Sequence, residues 1–237
     1  YFSCADMEPP HASAHYSERV LLLPGLGTSY AEPGCRPATR SEFGLPEDVR
    51  LYACPQSLFK IHPDNDAMFA DLLRRDADAR LVFCAQPAEP ATAQFQARVR
   101  GALDAGGVDF NHVIWQPLRP GSDFRALLSV CDVMLDTLHW SGGNTSLDAL
   151  AARLPIVTCP GRFLRGRQSA AMLRTLSLES LIVETPERVV EQAIAVACDS
   201  KAAVRKQIDS GAGQLFSRPE AVSTLQRYLV QITDWDR

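Results

Sequence analysis

The sequence lacks the features of several large protein classes. Its 237 residues contain no run of about 18 apolar residues, so no segment is suited to span a bilayer. Basic residues are not in excess: 24 Lys and Arg stand against 28 Asp and Glu, a net charge of −4, which argues against a dedicated nucleic-acid binder. Residues 1–20 have no basic segment followed by an apolar core, so they do not read as a signal peptide.

Three widespread active-site motifs are also absent. The chain has no G-x-x-x-x-G-K-[ST] loop and no G-x-S-x-G nucleophile turn. Gly25-Leu26-Gly27 lacks the third glycine of the dinucleotide fingerprint and precedes no helical pattern. P-loop enzymes, α/β-hydrolases and dehydrogenases are therefore all disfavoured.

The cysteines lack the spacing of a metal site or a redox motif. There are seven, an odd number, and no two form a C-x-x-C pair. Several end apolar runs such as LYAC, LVFC and IVTC. This usage predicts reduced, mostly buried thiols in a cytoplasmic protein, and it argues against a zinc site built on cysteine.

What is present is an ordinary globular composition with a βα rhythm. Hydrophobic residues make up 46% of the chain and charged residues 22%, which fits one large domain or one domain plus part of a second. Short apolar runs alternate with helical patterns, which is typical of a Rossmann-like parallel sheet with helices on both faces and a helical C-terminus. The predicted strands are 49–54, 80–85, 113–116, 132–136, 154–159 and 181–183, and the predicted helices are 66–75, 91–105, 122–130, 145–153, 166–175, 186–197, 201–211 and 219–233.

Ligands of such sheets bind beyond the carboxyl ends of the strands, so the loops there are the candidate sites. The loop 55–66 carries Lys60, which either holds a phosphate or is an ordinary solvated lysine. Asp64-x-Asp66 mimics the D-x-D of metal-dependent transferases, but Asp64 or Asn65 is better explained as the cap of the next helix. No metal site is predicted in this loop.

The loop 136–147, DTLHWSGGNTSL, is the strongest local signal. Gly142 and Gly143 permit close approach of the backbone to a ligand, and Asn144, Thr145 and Ser146 open the next helix. Free N–H groups at a helix start bind phosphate, and Asp148 one turn later can accept hydrogen bonds from a ribose. A well-capped helix with no ligand explains the same residues, so the local chemistry leaves both interpretations open.

Two further loops carry arginine. The loop 117–121, PLRPG, presents Arg119 either on a rigid turn or as a wall for a base or sugar. The loop 160–167, PGRFLRGR, concentrates Arg162, Arg165 and Arg167, which form either a basic surface turn or a cationic rim beside the same ligand.

The segments FKIHPD, VIWQPL and DVMLDTLHWSGGNTSLDALAARLPIVTCPGRFLRGR together resemble the C-terminal half of the O-linked GlcNAc transferase and SPINDLY family, in its bacterial TPR-containing type. The resemblance extends over about residues 45–230. It implies a GT-B glycosyltransferase of two Rossmann-like lobes with no essential metal or other cofactor. Residues 46–237 are then the nucleotide-sugar-binding lobe. Residues 1–45 resemble the connector that precedes it, or are a remnant of the N-terminal lobe, and a fragment without most of that lobe and without TPR repeats is expected.

The resemblance also implies roles for individual residues. Lys60 matches the family lysine that contacts the diphosphate of the donor. The loop residues that match the diphosphate cradle, the ribose contact and the base contact are Gly142 to Ser146, Asp148, and the Leu118–Arg119 backbone. Ser57 and Phe124 replace a glutamine and a histidine of animal relatives, and Gly143 replaces the histidine of their His-Thr-Thr run. Ser57 nevertheless holds the position beside the sugar.

The expected function is the donor-binding lobe of a protein glycosyltransferase, with Lys60 catalytic and Ser or Thr hydroxyls as acceptors. The donor is a UDP-GlcNAc or GDP-fucose type of nucleotide sugar, and a hexose-transferring branch that modifies asparagine is a further option. Two alternatives stay open: a non-catalytic nucleotide-binding module or scaffold, and a GT-B transferase acting on a glycan or small molecule.

Overall fold

The computed structural model describes residues 1–85 and 89–234. The strands in these ranges are β1 (Phe2–Cys4), β2 (Leu21–Leu23), β3 (Arg50–Cys54), β4 (Ala79–Ala85), β5 (Val113–Pro117), β6 (Val133–Leu135) and β7 (Ile156–Val157). The α-helices are α1 (Asp64–Arg75), α2 (Pro90–Ala105), α3 (Gly121–Ser129), α4 (Asn144–Ala151), α5 (Gln168–Thr175), α6 (Pro186–Ala195), α7 (Lys201–Gly211) and α8 (Glu220–Asp234). A π-helical turn, Val196–Ser200, joins α6 to α7.

Five strands form one parallel sheet in the order β5-β4-β3-β6-β7. Tyr52 of β3 lies opposite Leu81 on β4 and Val133 on β6, so β3 is the central strand. The chain proceeds from β3 outward through β4 to β5, and then returns to place β6 on the other side of β3. The strand order therefore reverses between β3 and β6, which is where open α/β sheets form their ligand crevice.

The helices cover both faces of the sheet, as a sheet of buried parallel strands requires. On α1 the apolar residues Met68, Phe69, Leu72 and Leu73 recur at helical spacing and are all buried. Phe83 of β4 contacts the ring of Phe69 with centroids 5.3 Å apart. The predicted α/β class is thus confirmed. No helix within the two described ranges is both long and apolar enough to cross a membrane.

Two of the local predictions are wrong. Residues 181–183 do not form a strand, because only the isolated bridge between Thr158 and Ile182 continues the sheet there and Leu181 ends a 3₁₀ turn. The cap expected from Asp64 or Asn65 is also missing: α1 begins after Pro63 with no side-chain cap hydrogen bond. A proline turn, rather than a polar side chain, precedes the first residue of this helix.

Residues 1–45 pack on the main sheet rather than lying apart from it. β1 and β2 pair in parallel as a separate two-stranded sheet. Cys4, Phe43 and Leu45 are buried and belong to the same hydrophobic core as the five-stranded sheet. Arg40 donates to the Val49 carbonyl at 2.7 Å and to the buried Asp132 carboxylate at 2.7 Å. The C-terminal part of this segment is therefore fastened to the start of β3.

The buried Asp76 carboxylate at the end of α1 stabilises the start of β3. It accepts hydrogen bonds from Arg50 Nε at 2.6 Å and from the Tyr52 hydroxyl at 2.8 Å. Burial raises the pKa of Asp76, but the hydrogen bonds from Arg50 and Tyr52 outweigh it, and the net pKa lies below the ordinary value. Asp76→Asn is expected to lower the free energy of unfolding at pH 7 by about 2–3 kcal/mol.

This loss should depend on pH in a defined direction. A lowered folded-state pKa stabilises the fold above the unfolded pKa of about 3.9, and the stabilisation disappears as the pH falls through the folded pKa. Urea unfolding of the wild type and Asp76→Asn should therefore differ most at neutral pH, and the difference should shrink as the pH falls through the folded-state pKa of Asp76. Asp104→Asn, at an exposed position of α2, is the control. A difference in the free energy of unfolding between the wild type and Asp76→Asn that is the same at neutral and at acid pH would contradict this account.

Candidate functional site

The loops after β3 and β6 lie side by side at the carboxyl edge of the sheet. Two buried amide side chains join them. Gln56 Nε2 donates to the Trp140 carbonyl at 3.3 Å. Asn65 donates to the His62 carbonyl at 2.8 Å and accepts from the Leu138 N–H at 2.9 Å. Because both amides are buried, the two loops are held in a fixed relation.

Lys60 is brought to the second loop by the first. It ends the 3₁₀ turn Leu58–Lys60 and is half-buried. Its Nζ lies 5.2 Å from the centroid of the Trp140 ring and 5.8 Å from that of Phe59. Across residues 1–85 and 89–234, no carboxylate forms an ion pair with this ammonium. Lys60 is therefore a positioned cation, held over an aromatic ring beside the glycine turn.

The Gly142-Gly143 turn is required by close packing. A Cβ built on Gly142 would lie 2.2 Å from Ser146 Oγ, and one on Gly143 would lie 2.8 Å from Gln168 Oε1. The Gly142 N–H donates to Asp136 Oδ1 at 2.8 Å. A side chain at position 142 would displace the first turn of α4, whereas at position 143 it would meet the flexible end of Gln168.

The first turn of α4 presents free backbone donors. The N–H groups of Ser146 and Leu147 donate to the Gly143 carbonyl, both at 3.1 Å. The N–H groups of Asn144 and Thr145 have no acceptor in the described part of the chain. Two free N–H groups at the positive end of a helix, next to glycine backbone, are suited to bind an anion such as a phosphate.

A buried network that the sequence analysis missed supports this turn. The Asp136 carboxylate accepts from the N–H groups of Thr137 and Gly142 and from the Thr158 hydroxyl at 3.0, 2.8 and 2.7 Å. The pKa of Asp136 is raised above its ordinary value by burial, and the hydrogen bonds from Gly142 and Thr158 oppose this rise without cancelling it. Sequence analysis placed Asp136 only at the end of a predicted strand. The one sequence feature that could have indicated its role is that it directly follows the end of the apolar strand β6.

Three predicted site residues differ from expectation in detail. The cap position of α4 falls on Gly143, so no Asn144, Thr145 or Ser146 side chain caps the helix. The Ser146 hydroxyl is buried and lies 2.8 Å from Ser169 Oγ, which commits it to the protein. Ser146 therefore supports the turn from within, while Asn144 and Thr145 face outward.

The residues expected around the nucleoside lie on α4 and directly after β5. Asp148 Oδ1 accepts from Arg125 Nη1 at 2.9 Å, and Asp148 lines a cleft of about 210 Å³ together with Asn144 and Tyr30. Leu118, after β5, is 55% exposed. Arg119 does not project outward: its guanidinium stacks on the Phe43 ring at 5.0 Å.

The remaining candidates lie between β3 and the first turn of α1 and in the loop after β7. Ser57 is exposed at the start of the 3₁₀ turn that carries Lys60. The D-x-D pair is divided, because Asp66 turns to Arg98 at 2.8 Å whereas Asp64 accepts from His139 at 2.6 Å. In the loop after β7, the basic side chains of Arg162 and Arg165 stack on Phe163, and Arg167 donates to the Gly161 carbonyl.

Comparison with known proteins identifies the family of the chain. The Glycosyl transferase family 41 model matches residues 34–218. The chain is 27% identical over 208 residues to the probable UDP-N-acetylglucosamine–peptide N-acetylglucosaminyltransferase SEC of Arabidopsis thaliana, covering 83% of this chain and 21% of that protein. It is 25% identical over 194 residues to the SPINDLY protein of Solanum lycopersicum, also named a probable transferase of that kind, covering 81% and 20%.

A solved structure extends the likeness to the fold. A variant of the Thermobaculum terrenum O-GlcNAc transferase superposes with a TM-score of 0.78 and 26% identity, over 94% of this chain and 42% of that one. The fold is thus the Rossmann-like lobe of a GT-B glycosyltransferase. The chain belongs to glycosyl transferase family 41. It spans about a fifth of the length of the two plant relatives.

Proposed function

We propose that this chain is the donor-binding lobe of a glycosyltransferase that moves a sugar from a nucleoside diphosphate to a protein. Two observations carry the proposal. Lys60 is held over Trp140 in the loop after β6, which Gln56 ties to the Lys60 loop, and the N–H groups of Asn144 and Thr145 at the end of that loop are free. A fixed cation and two backbone donors beside a glycine turn are suited to a diphosphate.

In this proposal the leaving group is the nucleoside diphosphate. The bond between the anomeric carbon and the diphosphate oxygen breaks, and an acceptor hydroxyl forms the new bond and loses its proton. Negative charge then grows on the diphosphate. The α4 N–H groups and the Lys60 ammonium stabilise that charge. Metal is not assigned a part in this step, because the cation and the helix start supply the stabilising charges.

Asp148 is proposed to set the position of the nucleoside. Arg125 occupies Oδ1 and orients the carboxylate. Oδ2 remains to accept from a ribose hydroxyl in the cleft shared with Asn144 and Tyr30. The Leu118–Arg119 backbone stays the proposed base contact, and Ser57 the proposed sugar contact. Because Arg119 packs on Phe43, only its backbone is assigned to the ligand.

The names of the relatives guide the choice of donor and acceptor. The two plant relatives carry names that refer to transfer from UDP-N-acetylglucosamine to peptide. A UDP-GlcNAc donor and a Ser or Thr acceptor in a cytoplasmic protein are therefore favoured over a GDP-fucose donor. The rest of the acceptor groove is assigned to an N-terminal lobe and TPR repeats of a longer polypeptide. A non-catalytic nucleotide-binding module is the second candidate.

Calorimetric titration with UDP, GDP and inorganic pyrophosphate, with EDTA present, tests the proposal. Saturable binding of one nucleotide at one site per chain is expected. Asp148→Asn should weaken nucleoside diphosphate binding by roughly 10-fold, the value of one hydrogen bond to a charged group, and leave pyrophosphate binding nearly unchanged. Asp104→Asn is the matched control.

Each outcome separates the candidates. Equal loss of nucleotide and pyrophosphate affinity in Asp148→Asn would remove the ribose role. Binding of neither nucleotide would contradict the donor lobe for this chain. Nucleotide binding that leaves the longer polypeptide without any transferase activity would favour the binding module.

A further inference from the structure

Three side chains with metal-binding atoms meet beside the crevice, outside the diphosphate site. His62 follows the Lys60 turn, Asp64 is the first residue of α1, and His139 lies in the loop after β6. One ligand atom from each, His62 Nδ1, an Asp64 carboxylate oxygen and His139 Nε2, lies within 4.8 Å of the other two. The two imidazole rings meet edge to face with centroids 4.8 Å apart.

The geometry points to a zinc-type divalent cation site formed by His62, Asp64 and His139. Two imidazoles and one carboxylate are a recurrent zinc set in which the fourth position stays open. A tetrahedral ion with bonds of about 2.1 Å separates its ligand atoms by about 3.4 Å. The carboxylate oxygens now lie 3.2 Å from His62 Nδ1 and 2.6 Å from His139 Nε2. Shifts of about an ångström, within reach of half-exposed side chains, would complete the site.

The hydrogen bonds of the three groups must rearrange when an ion binds. His62 Nδ1 accepts a 3.2 Å hydrogen bond from the Asp64 N–H, so its lone pair has to leave this donor to reach the metal. The Asp64 carboxylate accepts from His139 Nε2 at 2.6 Å. Binding requires His139 to move its proton from Nε2 to Nδ1.

The backbone is organised before any ion arrives. The wholly buried Asn65 holds both histidine segments by their backbones. It donates to the carbonyl of His62 itself and accepts from the N–H of Leu138, the residue before His139. The two loops that carry the histidines are thereby held together without metal. An ion would add a second link between the Lys60 loop and the glycine turn.

The surroundings determine what the ion would carry as its fourth ligand. A cleft of about 420 Å³ is lined by the two histidines together with Arg162, Phe163 and Arg165. In the described ranges no carboxylate pairs with either arginine. Two unpaired guanidinium groups oppose a bare cation, and they favour a metal whose open position holds a hydroxide or another anion.

Zinc titration of the 237-residue chain after removal of metal with EDTA tests this inference. A Cys35→Ser, Cys198→Ser background removes the two exposed thiols, which are alternative zinc ligands. One zinc per chain is expected. His62→Ala and His139→Ala should each lower the affinity by about 100-fold or more, because each removes a direct ligand. His11→Ala is the matched control, since His11 is also exposed and also has a positive φ, 63° against 68° at His139.

Cobalt substitution gives a second readout that does not depend on folding changes. Bound Co²⁺ should show the visible absorption of a four-coordinate nitrogen and oxygen site, and His139→Ala should lose it while its circular dichroism stays that of the wild type. Absence of saturable zinc binding, or binding that survives both histidine substitutions, would overturn the inference. Histidine-dependent binding of inorganic phosphate with no zinc affinity would instead make the cleft an anion site.

Discussion

Lys60→Ala is expected to lower the sugar-transfer rate of the longer polypeptide by roughly 10²–10³-fold, the usual cost of removing one group that stabilises developing charge. In this chain it should also weaken nucleoside diphosphate binding by about 10–100-fold, because one hydrogen bond to a charged group is lost. The fold should persist, since Lys60 lies at the surface over Trp140 and forms no ion pair among the residues described. Single-turnover kinetics and calorimetry measure the two effects.

The matched control is Lys206→Ala, which removes an exposed lysine of α7 that is not among the candidate site residues. It should change neither rate nor affinity. Arginine at position 60 should restore part of the binding, because the charge returns with a different shape. Near-normal turnover of Lys60→Ala would remove Lys60 from the catalytic role.

Gly142→Ala is expected to abolish detectable nucleoside diphosphate binding and to lower the free energy of unfolding by about 1–3 kcal/mol through overpacking. The new methyl group would lie 2.2 Å from Ser146 Oγ and 3.4 Å from Met134 Cε. Ser146 cannot easily turn away because its hydroxyl is bonded to Ser169 in the buried network. The first turn of α4 must therefore move, and the free N–H groups move with it.

A second substitution tests that cause directly. In Gly142→Ala, Ser146→Ala the clashing oxygen is gone, so part of the stability and part of the binding should return. Gly143→Ala is the milder comparison, because its methyl group meets only the mobile end of Gln168. A double variant no better than Gly142→Ala, in both urea unfolding and calorimetry, would contradict the packing explanation.

Much of the fold was predictable because parallel strands buried on both faces leave a plain sequence pattern. Runs such as RLYAC and ARLVFCA correspond to β3 and β4 with only small changes at their ends. The predicted strand at 181–183 failed because its short apolar run, LIV, begins within a 3₁₀ turn and forms a single bridge. Run length and apolar character alone cannot distinguish these two outcomes.

The candidate site was predictable only where it is local. The glycine turn and the start of α4 lie within one continuous segment, so the sequence indicates both. Asp64 and His139 are 75 positions apart, and only the pairing of β3 with β6 brings them together. The buried supports, Gln56, Asn65 and Asp136, carry no motif because their role depends on partners from distant loops.

The central claim is that the diphosphate lies on the first turn of α4 under Lys60. The most direct measurement is amide NMR of the chain during titration with UDP and with GDP. The account predicts that the N–H signals of Asn144 and Thr145 shift most, with Gly143 next, and that the shifts shrink in Lys60→Ala. Saturable binding that shifts amides elsewhere and leaves these signals in place would contradict it.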